Sequence, residues 1–207
     1  MEKIDTIVWD FDGVLNRNIE DGQLIWQPGF EGEFGHSVET FNDIVFNDKF
    51  NDVLIGELSL MDVLADWAAT VGYQGDLRNI LEFWFQSDYN LDDRMMALLA
   101  ASKRANFRNV MATNNEPMRA QFIAADLGFE DRMDRIFASG LMGVAKPDEG
   151  FFDMVSDELA VEPDELLLID DNAENCETAD ACGWQVHHFT GDYTALEKQL
   201  KQAGITP

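Results

Sequence analysis

Short apolar runs recur along the chain and predict the strands of a sheet. Each is rich in Val, Ile, Leu, Phe or Met and is bounded by polar or turn-forming residues, which is typical of buried strands. The predicted strands are 4–11, 107–114, 135–139, 165–170 and, as a fifth candidate, 185–189.

Between these runs the apolar residues recur at helical spacing. One such segment ends in basic residues, which suit a helix C-terminus, one begins just after Pro147, and two end at glycine. Strands that alternate with crossover helices predict an α/β fold, a Rossmann-like, doubly wound parallel sheet with helices on both faces. The predicted helices are 95–105, 116–128, 148–160 and 173–183.

Residues 16–91 break this alternation. Residues 16–35 show no clear period and are predicted to be rich in loops, whereas three later stretches have helical patterns crowded with aromatic residues. Phe and Trp usually fill interiors, so we expect most of these rings to form a core. We therefore predict an α/β core of residues 1–15 and 92–207, with a helical domain, residues 16–91, inserted after the first strand. The three helical patterns cover 37–50, 59–72 and 76–88.

The composition is strongly acidic, with 40 Asp and Glu against 14 Lys and Arg and a formal net charge of -26 at pH 7. Such a surface repels nucleic acids and anionic membranes, so neither is expected as a partner. It also repels phosphorylated metabolites, so an anionic substrate needs a metal ion or a fixed cation at its site. Two cysteines, no secretory signal pattern and no apolar run of membrane-spanning length predict a cytoplasmic protein.

Carboxylates cluster where two predicted strands end. Asp10 and Asp12 follow the first strand, and Asp170 and Asp171 follow the fourth, at the sheet edge where α/β proteins bind ligands. Residues i and i+2 of an extended chain face the same side, so up to four carboxylates can share a small volume. Their repulsion is costly unless a hard cation neutralises it. The sequence therefore predicts a Mg²⁺ site formed by Asp10, Asp12, Asp170 and Asp171.

Three further residues suit a phosphate group beside that metal. Thr113 and Asn114 end the second strand and are expected to open a helix whose backbone N–H groups can bind an anion. Lys146 supplies a positive charge. Taken singly, each of these residues has a simpler interpretation, as a turn, a helix cap or an exposed side chain. Their combination with the carboxylates predicts a phosphoryl-transfer site.

Four motifs, in order, resemble those of the haloacid dehalogenase (HAD) superfamily of phosphohydrolases. The inserted helical region resembles a C1-type cap. The phrases GELSLMDVLADW and DDNAEN are most similar to sugar-phosphate phosphatases of the superfamily, including glucose-1-phosphate phosphatase-like members. The four motifs are DFDGVL at 10–15, Thr113 in VMATNN, Lys146 in GVAKPDEGFF and the carboxylate pair in LLLIDDNAEN.

The resemblance implies a Mg²⁺-dependent phosphatase of a small phosphorylated metabolite. Asp10 would attack phosphorus to form an aspartyl-phosphate, and Asp12 would act as general acid and base. The resemblance assigns the metal to Asp10, the backbone carbonyl of Asp12, Asp171 and, directly or behind them, Asp170, and it assigns the phosphoryl oxygens to Thr113, Asn114 and Lys146.

Other interpretations stay open at this point. A phosphomutase shares all four motifs, and a binding protein without activity would be expected to lack one of them, whereas none is missing. A dehalogenase is disfavoured by Asp12, because displacement of a halide leaves no alkoxide that needs a proton. Asn175, one helical turn beyond Asp171, is placed to orient a carboxylate of the pair, although a polar position on a helix surface explains it nearly as well.

Overall fold

The computed structural model describes residues 4–206 as strands β1–β7 and helices α1–α11. The strands are β1 (Thr6–Trp9), β2 (Ile19–Glu20), β3 (Gln23–Leu24), β4 (Arg108–Thr113), β5 (Arg135–Ala138), β6 (Leu166–Asp170) and β7 (Gln185–His188). The helices are α1 (Gln27–Phe34), α2 (Val38–Val45), α3 (Phe50–Leu54), α4 (Leu60–Val71), α5 (Leu77–Ser87), α6 (Asp93–Arg104), α7 (Pro117–Gln121), α8 (Ser139–Met142), α9 (Glu149–Leu159), α10 (Ala173–Ala181) and α11 (Tyr193–Ala203).

Five of the strands form one parallel sheet in the order β5-β4-β1-β6-β7. The chain runs outward from β1 to β4 and β5, then returns to the other side of β1 for β6 and β7. This confirms the predicted doubly wound arrangement. The reversal of direction lies between β1 and β6, and ligands of such sheets bind outside the strand ends at this point.

Both faces of the sheet are covered by helices. Trp9 of β1 points to one face, where it joins a cluster with Leu98 of α6 and Leu196 of α11. Val8 points to the opposite face, in a cluster with Phe152 of α9. Because successive side chains alternate between the faces, a strand covered on both sides is apolar at nearly every position. This explains the continuous apolar runs in the sequence.

The helical segment, residues 16–91, has a hydrophobic cluster distinct from the two that flank the sheet. Trp26, Phe30, Phe41 and Trp67 are fully or almost fully buried within it, and their rings meet edge to face or tilted. The expectation that these rings form a core is confirmed. The exact boundaries, 1–15 with 92–207 and 16–91, stay a prediction, and residues 1–3 and 207 lie outside the described residues.

The prediction of a loop-rich stretch at 16–35 was wrong. The stretch contains the β2–β3 hairpin, whose Asp21-Gly22 turn has positive φ at both residues, and helix α1. Asp-Gly is a strong hairpin signal, but the flanking strands are too short to show a period. The glycines of α1 lower its helix propensity, and burial of Phe30 compensates for them.

Three further helices, α3, α8 and α11, lie where no helix was predicted, apart from Phe50 at the start of α3. In α11, Leu196 and Leu200 are four residues apart and both buried, a helical signal that is present in the sequence. None of the helices in the described part of the chain is both long and apolar enough to cross a lipid bilayer.

Candidate active site

The carboxyl ends of three neighbouring strands bring the predicted site residues together. Asp10 follows β1, Thr113 ends β4 and Asp170 ends β6, with β1 paired in register to both neighbours. All three side chains are buried. They therefore line the edge of the sheet beside the point where the winding reverses.

Lys146 contacts two of the carboxylates at this edge. Its Nζ lies 3.2 Å from Oδ1 of Asp10 and 2.5 Å from Oδ2 of Asp170, and its side chain is 1% exposed. Burial opposes its positive charge, but Asp10 and Asp170 outweigh this effect and raise the pKa of Lys146 above its usual value. The lysine is therefore a fixed cation inside the site.

Asp171 completes a group of three carboxylates. One oxygen each of Asp10, Asp170 and Asp171 lies within 4.8 Å of the others. Gly13 makes this approach possible, because it has φ +82° and a Cβ there would lie 2.2 Å from Oδ2 of Asp171. Any larger residue at position 13 would combine backbone strain with a clash.

The three carboxylates carry more negative charge than Lys146 neutralises. Burial raises the pKa of Asp10 well above its usual value, Lys146 opposes this effect, and the charges of Asp170 and Asp12 add to the rise. Burial and the charge of Asp170 also raise the pKa of Asp171. Hard oxygen donors that gather in this way are the set that Mg²⁺ prefers. The residues present therefore fit the predicted metal.

Asn175 orients Asp170 from helix α10. Its Nδ2 donates to both carboxylate oxygens of Asp170, at 3.0 and 3.1 Å, and the backbone N–H of Asn172 donates to Oδ1 at 2.9 Å. The prediction that Asn175 orients a carboxylate of the pair is confirmed. Asp170 is consequently held in one orientation while Asp171 remains partly exposed.

Asn114 holds the backbone of Lys146. Its Nδ2 donates to the carbonyl of Lys146 at 2.7 Å, and its Oδ1 accepts the Lys146 N–H at 2.9 Å. The side-chain amide is thus committed to positioning the lysine. A contact between Asn114 and a phosphoryl oxygen stays a prediction, and its backbone N–H is the group left to make it.

The expectation that Thr113 and Asn114 open a helix was wrong. Helix α7 begins at Pro117, and the carboxylate of Glu116 caps it by accepting the N–H groups of Met118 and Arg119 at 2.8 and 2.6 Å. Proline is favoured in the first turn of a helix, which sets the start here. A carboxylate therefore occupies the helix N-terminus that was expected to bind phosphate.

Asp12 faces a different set of side chains from Asp10. Its Oδ1 accepts from Nδ2 of Asn16 at 2.8 Å and from a terminal guanidinium nitrogen of Arg119 at 2.9 Å. Its Oδ2 accepts from Nδ2 of Asn115 at 3.1 Å, and the same nitrogen donates to Oγ1 of Thr113 at 2.6 Å. Asp12 and Thr113 are therefore adjacent. The side chain of Asp12 is outside the group of three carboxylates, so only its backbone carbonyl suits the predicted metal contact.

Sequence reasoning missed four residues around Asp12. Asn115 lies two positions after Thr113, and the alternation of extended chain could have indicated it. Asn16 is only four residues after Asp12, but the contact is made across a turn, where no period indicates it. Asp88 and Arg119 have no such signal, because their partners are distant in the sequence. The guanidinium of Arg119 lies 2.7 Å from Oδ2 of Asp88. Burial raises the pKa of Asp88 to about 6 although Arg119 opposes the rise.

The sequence of this chain is similar to those of known proteins. The haloacid dehalogenase-like hydrolase family matches residues 4–183. One relative, the sesquiterpene phosphatase astK of Aspergillus oryzae, is 34% identical over 198 residues, which cover 94% of each protein.

Solved structures share the fold. A HAD family enzyme from Bacteroides thetaiotaomicron, in complex with magnesium and inorganic phosphate, has a TM-score of 0.76 at 19% identity, over 93% of this chain and 98% of that one. The L-2-haloacid dehalogenase of Xanthobacter autotrophicus has a TM-score of 0.66 at 19% identity, over 99% and 85%. At these identities the likeness concerns the fold alone, whereas the family match spans most of the sequence. This chain belongs to the haloacid dehalogenase-like hydrolase family.

Proposed function

We propose that this protein is a Mg²⁺-dependent phosphatase that hydrolyses a small phosphorylated metabolite through an aspartyl-phosphate on Asp10. The observation that carries the proposal is the convergence of Asp10, Asp170 and Asp171 beside the buried Lys146. Carboxylates in this arrangement suit a divalent cation, and together with that cation they suit an anionic substrate. The name of the fungal relative, a phosphatase, supports the same reaction class.

Asp10 is proposed to be the nucleophile. The backbone N–H of Phe11 donates to its Oδ1 at 2.7 Å, and Lys146 contacts the same oxygen, so the carboxylate is held in one orientation before substrate arrives. One of its oxygens forms a bond to phosphorus as the bond between phosphorus and the leaving alcohol breaks. Water then attacks the aspartyl-phosphate, which releases inorganic phosphate and regenerates Asp10.

The other residues bind the phosphoryl oxygens or the metal, or transfer a proton. Lys146, Oγ1 of Thr113 and the backbone N–H of Asn114 are proposed to bind phosphoryl oxygens. Asp12 donates a proton to the leaving alcohol and later accepts one from the attacking water. The metal would be held by Asp10, the Asp12 carbonyl, Asp170 and Asp171, and when bound it neutralises charge on the phosphoryl oxygens.

The helical segment is proposed to serve as a cap that selects the leaving group. A cavity of about 580 Å³ lies between α3 and residues 143–148, and Asn114 and Lys146 line it. Much of its lining is apolar, which favours an apolar leaving group, because a sugar would lose hydrogen bonds to water there. The sequence resemblance suggests sugar phosphates, and the fungal relative's name suggests a sesquiterpene phosphate. The apolar lining residues are Leu54, Ile55, Val144, Ala145 and Pro147.

Release of phosphate from 4-nitrophenyl phosphate, with Mg²⁺ and with a chelator, tests the reaction. Asp10→Asn should lower turnover by roughly 10⁴-fold or more, as expected for removal of a nucleophile, while a folded control, Asp180→Asn on the exposed side of α10, keeps it. Borohydride reduces an acyl phosphate to an alcohol, so mass spectrometry of trapped enzyme should locate the change at Asp10. More than a tenth of wild-type turnover in Asp10→Asn would exclude the proposed nucleophile.

A parallel screen separates the candidate substrates. Sugar phosphates and prenyl or other alkyl monophosphates are compared by kcat/KM, and the apolar cavity favours the second group. Free phosphate as product identifies a phosphatase, whereas an isomeric phosphate ester identifies a phosphomutase.

A further inference from the structure

Arg119 is a buried arginine that joins two carboxylates outside the group of three. One terminal nitrogen lies 2.9 Å from Oδ1 of Asp12 and the other lies 2.7 Å from Oδ2 of Asp88. The side chains of Arg119 and Asp88 are 7% and 3% exposed. A planar guanidinium donates in fixed directions, so it constrains the orientation of both partners.

The contacts of Asp12 distinguish its two carboxylate oxygens. Oδ1 accepts from both Asn16 and Arg119, which uses its two lone pairs. Oδ2 accepts from Asn115 alone among the described residues, so one lone pair remains on the oxygen that lies next to Thr113. Oδ2 is therefore the atom placed to exchange a proton with a leaving group, provided that Oδ1 stays fixed.

Asp88 ties this arrangement to the helical segment. It follows α5, where the chain returns towards the sheet. Asn16, on the outgoing crossing, donates to the backbone carbonyl of Asp88 at 2.9 Å and accepts the N–H of Asn90 at 2.7 Å, and Asn18 donates to Oδ2 of Asp88 at 3.2 Å. The two chain connections between the helical segment and the core are thus joined by one buried hydrogen-bond network, and Arg119 binds to it through Asp88.

We propose that Arg119 is the positioning residue of Asp12, and that Asp88 keeps the guanidinium in place. The inference rests on the proposed function, in which Asp12 is the general acid and base. General acid catalysis contributes roughly 10²–10⁴-fold to a rate, and a misplacement of about 1 Å can cost about 10²-fold. Loss of Arg119 should consequently weaken proton donation while leaving Asp10 and Lys146 in place.

The dependence of rate on the leaving group tests this role. Phenyl phosphate needs protonation of its leaving oxygen far more than 4-nitrophenyl phosphate does, and the two substrates are similar in size. We expect Arg119→Met to lower kcat/KM for phenyl phosphate about 10- to 100-fold more than for 4-nitrophenyl phosphate. Arg119→Lys, which keeps the charge but cannot bridge two carboxylates, should show a selective loss of about 3- to 10-fold. Arg135→Met, which removes an exposed ion pair with Glu158, is the control and should show no selective loss.

Equal losses on the two substrates in Arg119→Met would overturn the inference, because an arginine that only anchors α7 affects both alike. If Arg119→Met does not fold, Arg119→Lys decides, and an unselective result there overturns the inference as well. Asp12→Asn is measured in parallel. If Asp12→Asn loses more kcat/KM for phenyl phosphate than for 4-nitrophenyl phosphate and the folded Arg119 variants show no such difference, the inference fails while the proposed function stands. Should the wild type hydrolyse neither substrate, or Asp12→Asn show no selective loss, the proposed function itself fails.

Discussion

Replacement of Asp171 by alanine is expected to change thermal stability in opposite directions without and with Mg²⁺. Without the metal, burial and the charge of Asp170 raise the pKa of Asp171, so its ionised form at pH 7.5 is less favourable in the folded protein than in the unfolded chain. Removing this carboxylate relieves repulsion. The melting temperature of metal-free Asp171→Ala should therefore equal or exceed that of the wild type.

With Mg²⁺ the order should reverse. A ligand present at about 100 times its Kd stabilises the folded state by about 2.7 kcal/mol, provided that it does not bind the unfolded chain. For a protein of this length, 207 residues, about 1 kcal/mol shifts the melting temperature by roughly 2–4 °C. The wild type should therefore gain about 5–10 °C, and Asp171→Ala should lose most of that gain.

The assay is thermal unfolding with saturating MgCl₂ or with NaCl at the same ionic strength, because salt alone screens the repulsion in a chain of net charge -26. Asp180→Ala removes an exposed carboxylate from α10 and is the matched control, with a full Mg²⁺-induced shift expected. A shift of the same size in Asp171→Ala and in the wild type would refute the site, as would the absence of any shift in the wild type.

Three further substitutions test the surroundings of this group. Lys146→Met leaves Asp10 and Asp170 without their buried cation and should cost about 3–5 kcal/mol of unfolding free energy without metal, so an unchanged denaturant midpoint would contradict the role of the lysine. Gly13→Ala should abolish the Mg²⁺-induced shift in melting temperature, because its Cβ would meet the carboxylate of Asp171, and a retained shift would show that the turn adapts. Burial raises the pKa of Asp88 to about 6. Just below that pH, Asp88 is therefore protonated in the folded protein but ionised in the unfolded chain. Wild-type stability relative to Asp88→Asn should therefore fall by about 1 kcal/mol as pH rises from 5 to 7.5, and a flat difference in chemical denaturation would contradict the raised pKa.

The strands of the sheet were predictable because their signal is local. Val8, Leu167 and Leu168 belong to runs that are buried on both faces, and such runs stand out without any knowledge of partners. Helix α1 was not predictable in the same way. Its two glycines lower the local preference for helix, and the contacts that stabilise it come from Trp26, Phe41 and other rings of the helical segment.

The same difference separates the predicted and missed parts of the candidate site. Asp10, Thr113 and Asp170 end strands, so the parallel sheet alone is enough to bring them to one edge. Arg119 and Asp88 meet only because α7 packs beside the end of α5, and no short-range pattern encodes that contact. Residues that follow strands were therefore identified, as was Asn175, which lies five residues after the carboxylate that it orients, whereas Arg119 and Asp88 were not.

Asp10 and Asp12 show why these distant contacts matter for mechanism. In the sequence the two residues are both aspartates at a strand end, and nothing local separates their roles. In the structure Asp10 is buried beside Lys146 within the group of carboxylates, whereas Asp12 takes its contacts from Arg119 and two asparagines and remains partly exposed. Two carboxyl groups that do different chemistry in one site need different surroundings. The proposed division into a nucleophile and a general acid thus depends on Arg119, a residue about a hundred positions away in the chain, and the selective loss expected in Arg119→Met measures that dependence directly.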